Sequence, residues 1–320
     1  MQVAVTGAGG FVGRALCRAL AAEGHEVIAC IRSGDDPEGA GEVRRIADIT
    51  DRGALHDAFD GAEAVVHLAG RAHVMADDAV DPMAEYRRVN VDGTRAVAEA
   101  AADAGVRRVV FVSSVKVNGE RTDGAPFRET DQPAPEDAYG ITKHEAETVL
   151  FDIARARGFE TVCLRPPLVY GPGVRANFAA LLKLCDSGLP LPFGSITRNR
   201  RSLIFVDNLT AAIGAVLAHP DASGRVFLVR DSEDLSTAGL VRSLRQALGR
   251  PARLIPVPSC VLNLLLRLAG RGAMAERLLG SLTVDDGAIR TTLGWTPPVS
   301  VTDAMLATAR APRDIRQRPR

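Results

Sequence analysis

The 320 residues carry 39 basic and 39 acidic side chains, so no net positive field exists to hold a nucleic-acid backbone. Hydrophobic residues make up 46% and charged residues 24%, too apolar for disorder, and the length suits two lobes or one large α/β unit with an appendage. Five cysteines (Cys17, Cys30, Cys163, Cys185, Cys260) are odd in number and lack C-x-x-C spacing, which argues against a disulfide framework or a zinc site and fits a reducing cytoplasm.

The chain opens on Gln2–Thr6, an apolar run that reads as a buried strand, and no signal peptide is expected ahead of it. A helix follows over 11–23, with Phe11, Val12, Ala15, Leu16, Ala19 and Leu20 at helical spacing and Gly24 as its stop. Further strands are predicted at Glu26–Ile31, 44–47, 64–68, 108–113 and 161–165, and Pro166-Pro167 ends the last of them. Between them lie helices over 51–59, 83–103 and 137–157. Six strands alternating with helices predict an α/β fold, a doubly wound parallel sheet over 1–170 that binds a dinucleotide.

Beyond Gly171 the texture changes to Gly-Pro punctuation and short elements, predicting a smaller substrate lobe over 171–320. Strands at 203–206 and 226–229 are expected to return to the sheet, and 310–320 reads as a frayed tail. The apolar stretch 260–269 is far shorter than a membrane span. Its stripe of Leu262, Leu265, Leu266 and Ala269 is expected to face the lobe core or a partner rather than act as a membrane anchor.

Two constellations carry chemistry. Thr6-Gly7-Ala8-Gly9-Gly10-Phe11-Val12-Gly13 stands where a strand turns into a helix. Gly7 permits the tight turn, Gly10 lets backbone approach a pyrophosphate, and Gly13 allows close helix–strand packing. The second strand then ends in Arg32-Ser33 instead of the acid that NAD-preferring sites place there. A cation and a hydroxyl suit a 2′-phosphate, so NADP(H) is favoured and NAD(H) stays open. The second constellation is Ser114 at the end of the fifth strand with Tyr139 and Lys143 four residues apart on one helix face. Ser114 can bond a substrate oxygen and Lys143 a nicotinamide ribose. A nearby ammonium and an oxidised nicotinamide would lower the phenol pKa and make Tyr139 an acid/base. His67 and His73 lack a third metal ligand and His144 reads as a helix-surface residue, so no metal is expected.

These residues resemble the extended short-chain dehydrogenase/reductases of the NAD-dependent epimerase/dehydratase type, specifically nucleotide-sugar epimerases, dehydratases and 4-ketoreductases. The matching segments are TGAGGFVG (6–13), ADI (47–49), HLAG (67–70), RVNVDGT (88–94), FVSSVKVNG (111–119), YGITK (139–143), LRPPLVYGPG (164–173) and RRSLIFVDNL (200–209). The resemblance implies that Asp48 and Ile49 meet the adenine and that Leu68, Ala69 and Gly70 line the cofactor. Asn90 would support the active site, and Pro166, Pro167, Leu168 and Val169 would flank the nicotinamide. Lys116, Asn177, Phe193 and Arg201 would contact the substrate, with Phe193 either stacking a base or belonging to the core, and Arg201 or its neighbours Arg198 and Arg200 holding a diphosphate.

The reaction most resembled is reduction of a UDP-4-keto-6-deoxy-N-acetylhexosamine in bacterial polysaccharide synthesis. A UDP-hexose 4-epimerase with tightly bound NAD remains the alternative, and a silent NADP-binding sensor a third. Val115-Lys116 beside the serine, where dehydratases place acids, weighs against a dehydratase. The resemblance further implies a cytoplasmic homodimer joined through helices at 95–102 and 139–150, with neither nucleic acid nor membrane insertion.

Overall fold

In the computed structural model, residues 1–72 and 81–311 are described; His73 and the predicted tail from 312 onward lie outside them. The strands are β1 (Gln2–Thr6), β2 (Glu26–Ile31), β3 (Glu42–Arg45), β4 (Ala64–His67), β5 (Arg108–Val112), β6 (Glu160–Arg165), β7 (Leu168–Tyr170), β8 (Leu203–Phe205) and β9 (Arg225–Leu228). Seven pair in parallel in the order β3-β2-β1-β4-β5-β6-β9. The order reverses between β1 and β4, so their carboxyl ends diverge into the crevice where doubly wound sheets take ligands.

The helices are α1 (Phe11–Ala22), α2 (Arg52–Ala58), α3 (Pro82–Arg87), α4 (Gly93–Asp103), α5 (Ala138–Arg157), α6 (Ala176–Asp186), α7 (Val206–Ala218), α8 (Thr237–Ala247), α9 (Ser259–Leu268), α10 (Gly272–Leu279), α11 (Gly287–Leu293) and α12 (Val301–Arg310). Strand residues alternate between two apolar layers. Val5, Ala64 and Val66 meet Leu16, Leu209, Ile213 and Ile289 on one side, while Ala4 and Val65 meet Leu55, Val97, Ala101 and Leu150 on the other. Burial on both faces is why these strands are continuous Val/Ile/Ala runs. A third core of Tyr170, Phe178, Phe193, Phe205, Val241 and Met305 holds the later elements together. Among the described residues, no helix is long and apolar enough to cross a membrane.

Three expectations need correction. The strand at 203–206 does not extend the main sheet: Leu203–Phe205 pairs with Leu168–Tyr170 in a separate two-stranded sheet. Pro166 and Pro167 offer no N–H to the ladder, and the chain leaves the main sheet there. The helix at 83–103 is divided by a π-turn over Arg88–Asp92. The stripe on α9 is divided: Leu262 is buried and Leu266 packs on the third core, as expected, while Leu265 and Ala269 are exposed.

Candidate active site

The glycine turn is shaped by contacts no side chain would survive. Gly7 has φ 71°, and an added Cβ would lie 2.8 Å from the Ala69 backbone nitrogen. A Cβ on Gly13 would strike the Gly7 carbonyl and lie 2.6 Å from the Ala8 Cα. Helix α1 starts at Gly10 with no side-chain cap, so its first N–H groups present a bare positive end to the crevice. That cradle fits a dinucleotide pyrophosphate.

Gly9 brings the end of β2 against the same turn, its Cβ position lying 3.6 Å from Ile31 and 3.8 Å from the Ser33 carbonyl. Here Arg14 bonds the carbonyls of Gly9 and Asp35, and Arg45 pairs with Asp36 at 2.9 Å. Arg32 and Ser33 stand exposed beside them. The Asp48 carboxylate accepts from the Thr50 N–H at 3.0 Å and pairs with Arg88 at 3.0 Å, which together hold its pKa down. Ile49 packs on Gly93.

A cleft of about 190 Å³ opens over the ends of β4, β5 and β6. Ser114, Tyr139 and Lys143 line it together, with Val12, Leu68, Gly70, Pro166, Pro167 and Val169. Leu168 points away and is exposed. Asp137 caps α5 through the Gly140 N–H at 2.7 Å, which fixes where Tyr139 enters the cleft. The Ser114 hydroxyl hydrogen-bonds the phenol. Burial nevertheless pushes the Tyr139 pKa up to about 12, with Ser114 the opposing influence, so the expected lowering is absent in the protein itself.

Lys143 is buried, donates to the Val112 carbonyl at 2.9 Å and lies 4.3 Å from the centre of the Phe111 ring. Burial lowers its pKa to about 8, against the pull of Glu147 one turn further along α5. Glu147 forms a buried pair with Arg165 at 2.6 Å, and Arg165 also donates to Asn118 at 3.0 Å.

The π-turn explains Asn90. Its Oδ1 accepts from the Arg71 N–H at 2.7 Å, and its Nδ2 donates to the Thr142 hydroxyl at 3.0 Å. One amide thus joins the loop after β4 to α5 beside Lys143. Gly70 keeps this corner open, since a Cβ would crowd Asn90 Oδ1 at 3.1 Å and touch Lys143 Nζ at 3.5 Å. His67 is no ligand: it lies buried between the hydroxyls of Thr6 (2.7 Å) and Thr94 (3.1 Å), and burial lowers its pKa to about 3. No group of three or more potential metal ligands occurs among the described residues.

Of the five residues expected at the substrate, Ser114 lines this cleft and Lys116, Asn177, Phe193 and Arg201 do not. Phe193 is buried in the third core with no face open for stacking. Lys116 is held by Glu120 and Asp137, each at 2.6 Å, which leaves its ammonium committed. Arg201 donates to the carbonyls of Arg277 and Gly280. Asn177 is exposed on the first turn of α6, next to Ala176 at φ 54°. Val112, Phe111, Thr142, Glu147 and Arg165 were not foreseen; the five-residue span from Lys143 to Glu147 on one helix was the only local hint.

Comparison with known proteins places the chain. Residues 3–229 match the NAD dependent epimerase/dehydratase family, and the chain belongs to it. It is an enzyme of the short-chain dehydrogenase/reductase type. The chain is similar to the UDP-glucose 4-epimerase of Vibrio cholerae, 42% identical over 312 residues, covering 97% of this chain and 95% of the relative. It is also 31% identical over 264 residues to the N-acetyl-alpha-D-glucosaminyl-diphospho-ditrans,octacis-undecaprenol 4-epimerase of Escherichia coli O157:H7, covering 80% and 76% of the two chains. Among solved structures, the dTDP-glucose 4,6-dehydratase of Streptomyces venezuelae with NAD bound superposes with TM-score 0.77 at 26% identity, covering 97% of this chain and 96% of that one.

Proposed function

We propose that this enzyme is a 4-ketoreductase acting on a UDP-linked 4-keto-6-deoxy-N-acetylhexosamine, with NADP(H) as the preferred cofactor. The observation that carries this reading is the end of β2, where Arg32 is exposed and no described residue forms an ion pair or hydrogen bond with its side chain. A 2′-phosphate would give that guanidinium its partner. An epimerase recycles one hydride internally and gains nothing from the reduced NADP pool. A net reductase consumes a hydride at each turnover.

When bound, reduced nicotinamide supplies the hydride that reduces the C4 carbonyl carbon. Tyr139 donates its proton to the carbonyl oxygen, so the ketone becomes an alcohol and the phenol a phenolate to be reprotonated from solvent. Burial keeps the phenol protonated, the form that donates, and the Lys143 ammonium would stabilise the phenolate left behind. Ser114 holds the same oxygen. Lys143 steadies the developing phenolate and bonds the cofactor ribose. Gly7, Gly10 and Gly13 seat the pyrophosphate, with Gly70, Val12, Pro166 and Val169 enclosing the nicotinamide. The reading includes a homodimer through α4 and α5, and a dinucleotide-binding part at 1–170 with a substrate part at 171–320.

The second reading, a UDP-hexose 4-epimerase, is favoured by the Vibrio cholerae relative, similar across nearly its whole length. The test is a mixture of enzyme, NADPH and the UDP-4-keto sugar, followed by loss of reduced-cofactor absorbance. Stoichiometric loss with one new sugar nucleotide supports the reductase. No loss, together with interconversion of UDP-glucose and UDP-galactose without added cofactor, gives the site to the epimerase.

A further inference from the structure

Helix α9 presents its apolar face outward. Val261, Leu264, Leu265 and Leu268 fall at helical i, i+3, i+4 and i+7 positions and are 43%, 58%, 56% and 77% exposed. Leu262 on the opposite side is buried and anchors the helix to the third core. Ile255 and Met274, just before and after α9, are exposed as well. A contiguous apolar face of this kind on a folded chain marks a surface that something covers.

The charge around it says what. The chain as a whole is neutral, yet residues 250–280 hold five arginines and a single acid. Arg250 pairs with Asp186, and Arg267 bonds Asn263 and lies 3.8 Å from Glu276, that one acid. Arg253, Arg271 and Arg277 are exposed and have no ion-pair partner among the described residues. A second copy fits poorly: in a twofold contact the same patch meets itself, so two surfaces of the same positive sign would be brought together.

We propose that the α9–α10 face docks the enzyme on an anionic lipid bilayer, with the four apolar side chains entering the headgroup–acyl boundary and Arg253, Arg271 and Arg277 over the lipid phosphates. At ten residues, α9 lies on such a surface without crossing it. The inference is independent of the reaction, since the catalytic cleft involves none of these residues.

The experiment is co-sedimentation of the full chain with vesicles of phosphatidylcholine alone or with about one-third phosphatidylglycerol, across a salt series, alongside its solution mass. Binding to the anionic vesicles that weakens with salt is expected. Leu264→Gln with Leu268→Gln should lower partitioning at least about tenfold, and Arg271→Ala about fivefold, with thermal melting and turnover unchanged. Absence of sedimentation with anionic vesicles overturns the proposal. So does binding that these variants leave unaltered, or an oligomer that Leu264→Gln with Leu268→Gln reduces to monomers.

Discussion

Lys143 donates to the carbonyl of Val112 at 2.9 Å, so the helix carrying Tyr139 is fastened to the last residue of β5 by the same ammonium that serves the cleft. The lysine has a structural and an electrostatic role at once, and its burial sets a pH dependence.

Unfolded, Lys143 titrates near 10.5; folded, near 8. Between these values the unfolded chain binds more protons, so stability rises with pH from about 8 to 10.5, and below 8 the full cost of about 3 kcal/mol is present. Urea unfolding across this window should show that rise, and Lys143→Met should flatten it. Turnover should move the other way, falling as the ammonium is lost above about pH 8. A rate that climbs through that region would separate Lys143 from the chemistry.

Tyr139→Phe keeps the ring and removes the proton. Turnover should fall by about 10²–10⁴-fold while cofactor affinity, read by fluorescence quenching, stays within a factor of about two. Full turnover in this variant would remove Tyr139 as the acid.

The buried Glu147–Arg165 pair spans α5 and β6. Glu147→Ala leaves Arg165 uncompensated, and chemical denaturation should report a loss of about 3–5 kcal/mol. Removing the carboxylate should also shift the Lys143-dependent pH limb to lower pH, since Glu147 raises that pKa. A stability change without movement of the limb would restrict Glu147 to a structural role.

Most of the sheet and the trio in the cleft could be read locally, because the glycine turn and the Tyr-x-x-x-Lys spacing each lie within eight residues. What could not be read depends on contacts between distant segments. Lys116 finds Asp137 twenty-one residues away, and Arg165 reaches back eighteen residues to Glu147. Phe193 carries no local mark separating a stacking ring from a core ring; its packing with Phe178 and Val241 decides it. Strand 203–205 has the composition of a main-sheet strand, and only its pairing with 168–170 gives it another place.

Arg32→Ala tests the cofactor reading. A charge-assisted contact is worth about 1.5–3 kcal/mol, so the variant should lose roughly one to two decades of NADPH preference over NADH. Equal affinity for both cofactors in the unaltered protein would remove the argument.

The central claim is that each turnover takes its hydride from outside. The direct measurement uses NADPH deuterated at the transferred position with the UDP-4-keto sugar, and reads the product by mass spectrometry and proton NMR. The account predicts one deuterium on C4 of every product molecule. Product with no deuterium at C4, formed while the added cofactor stays reduced, would contradict it.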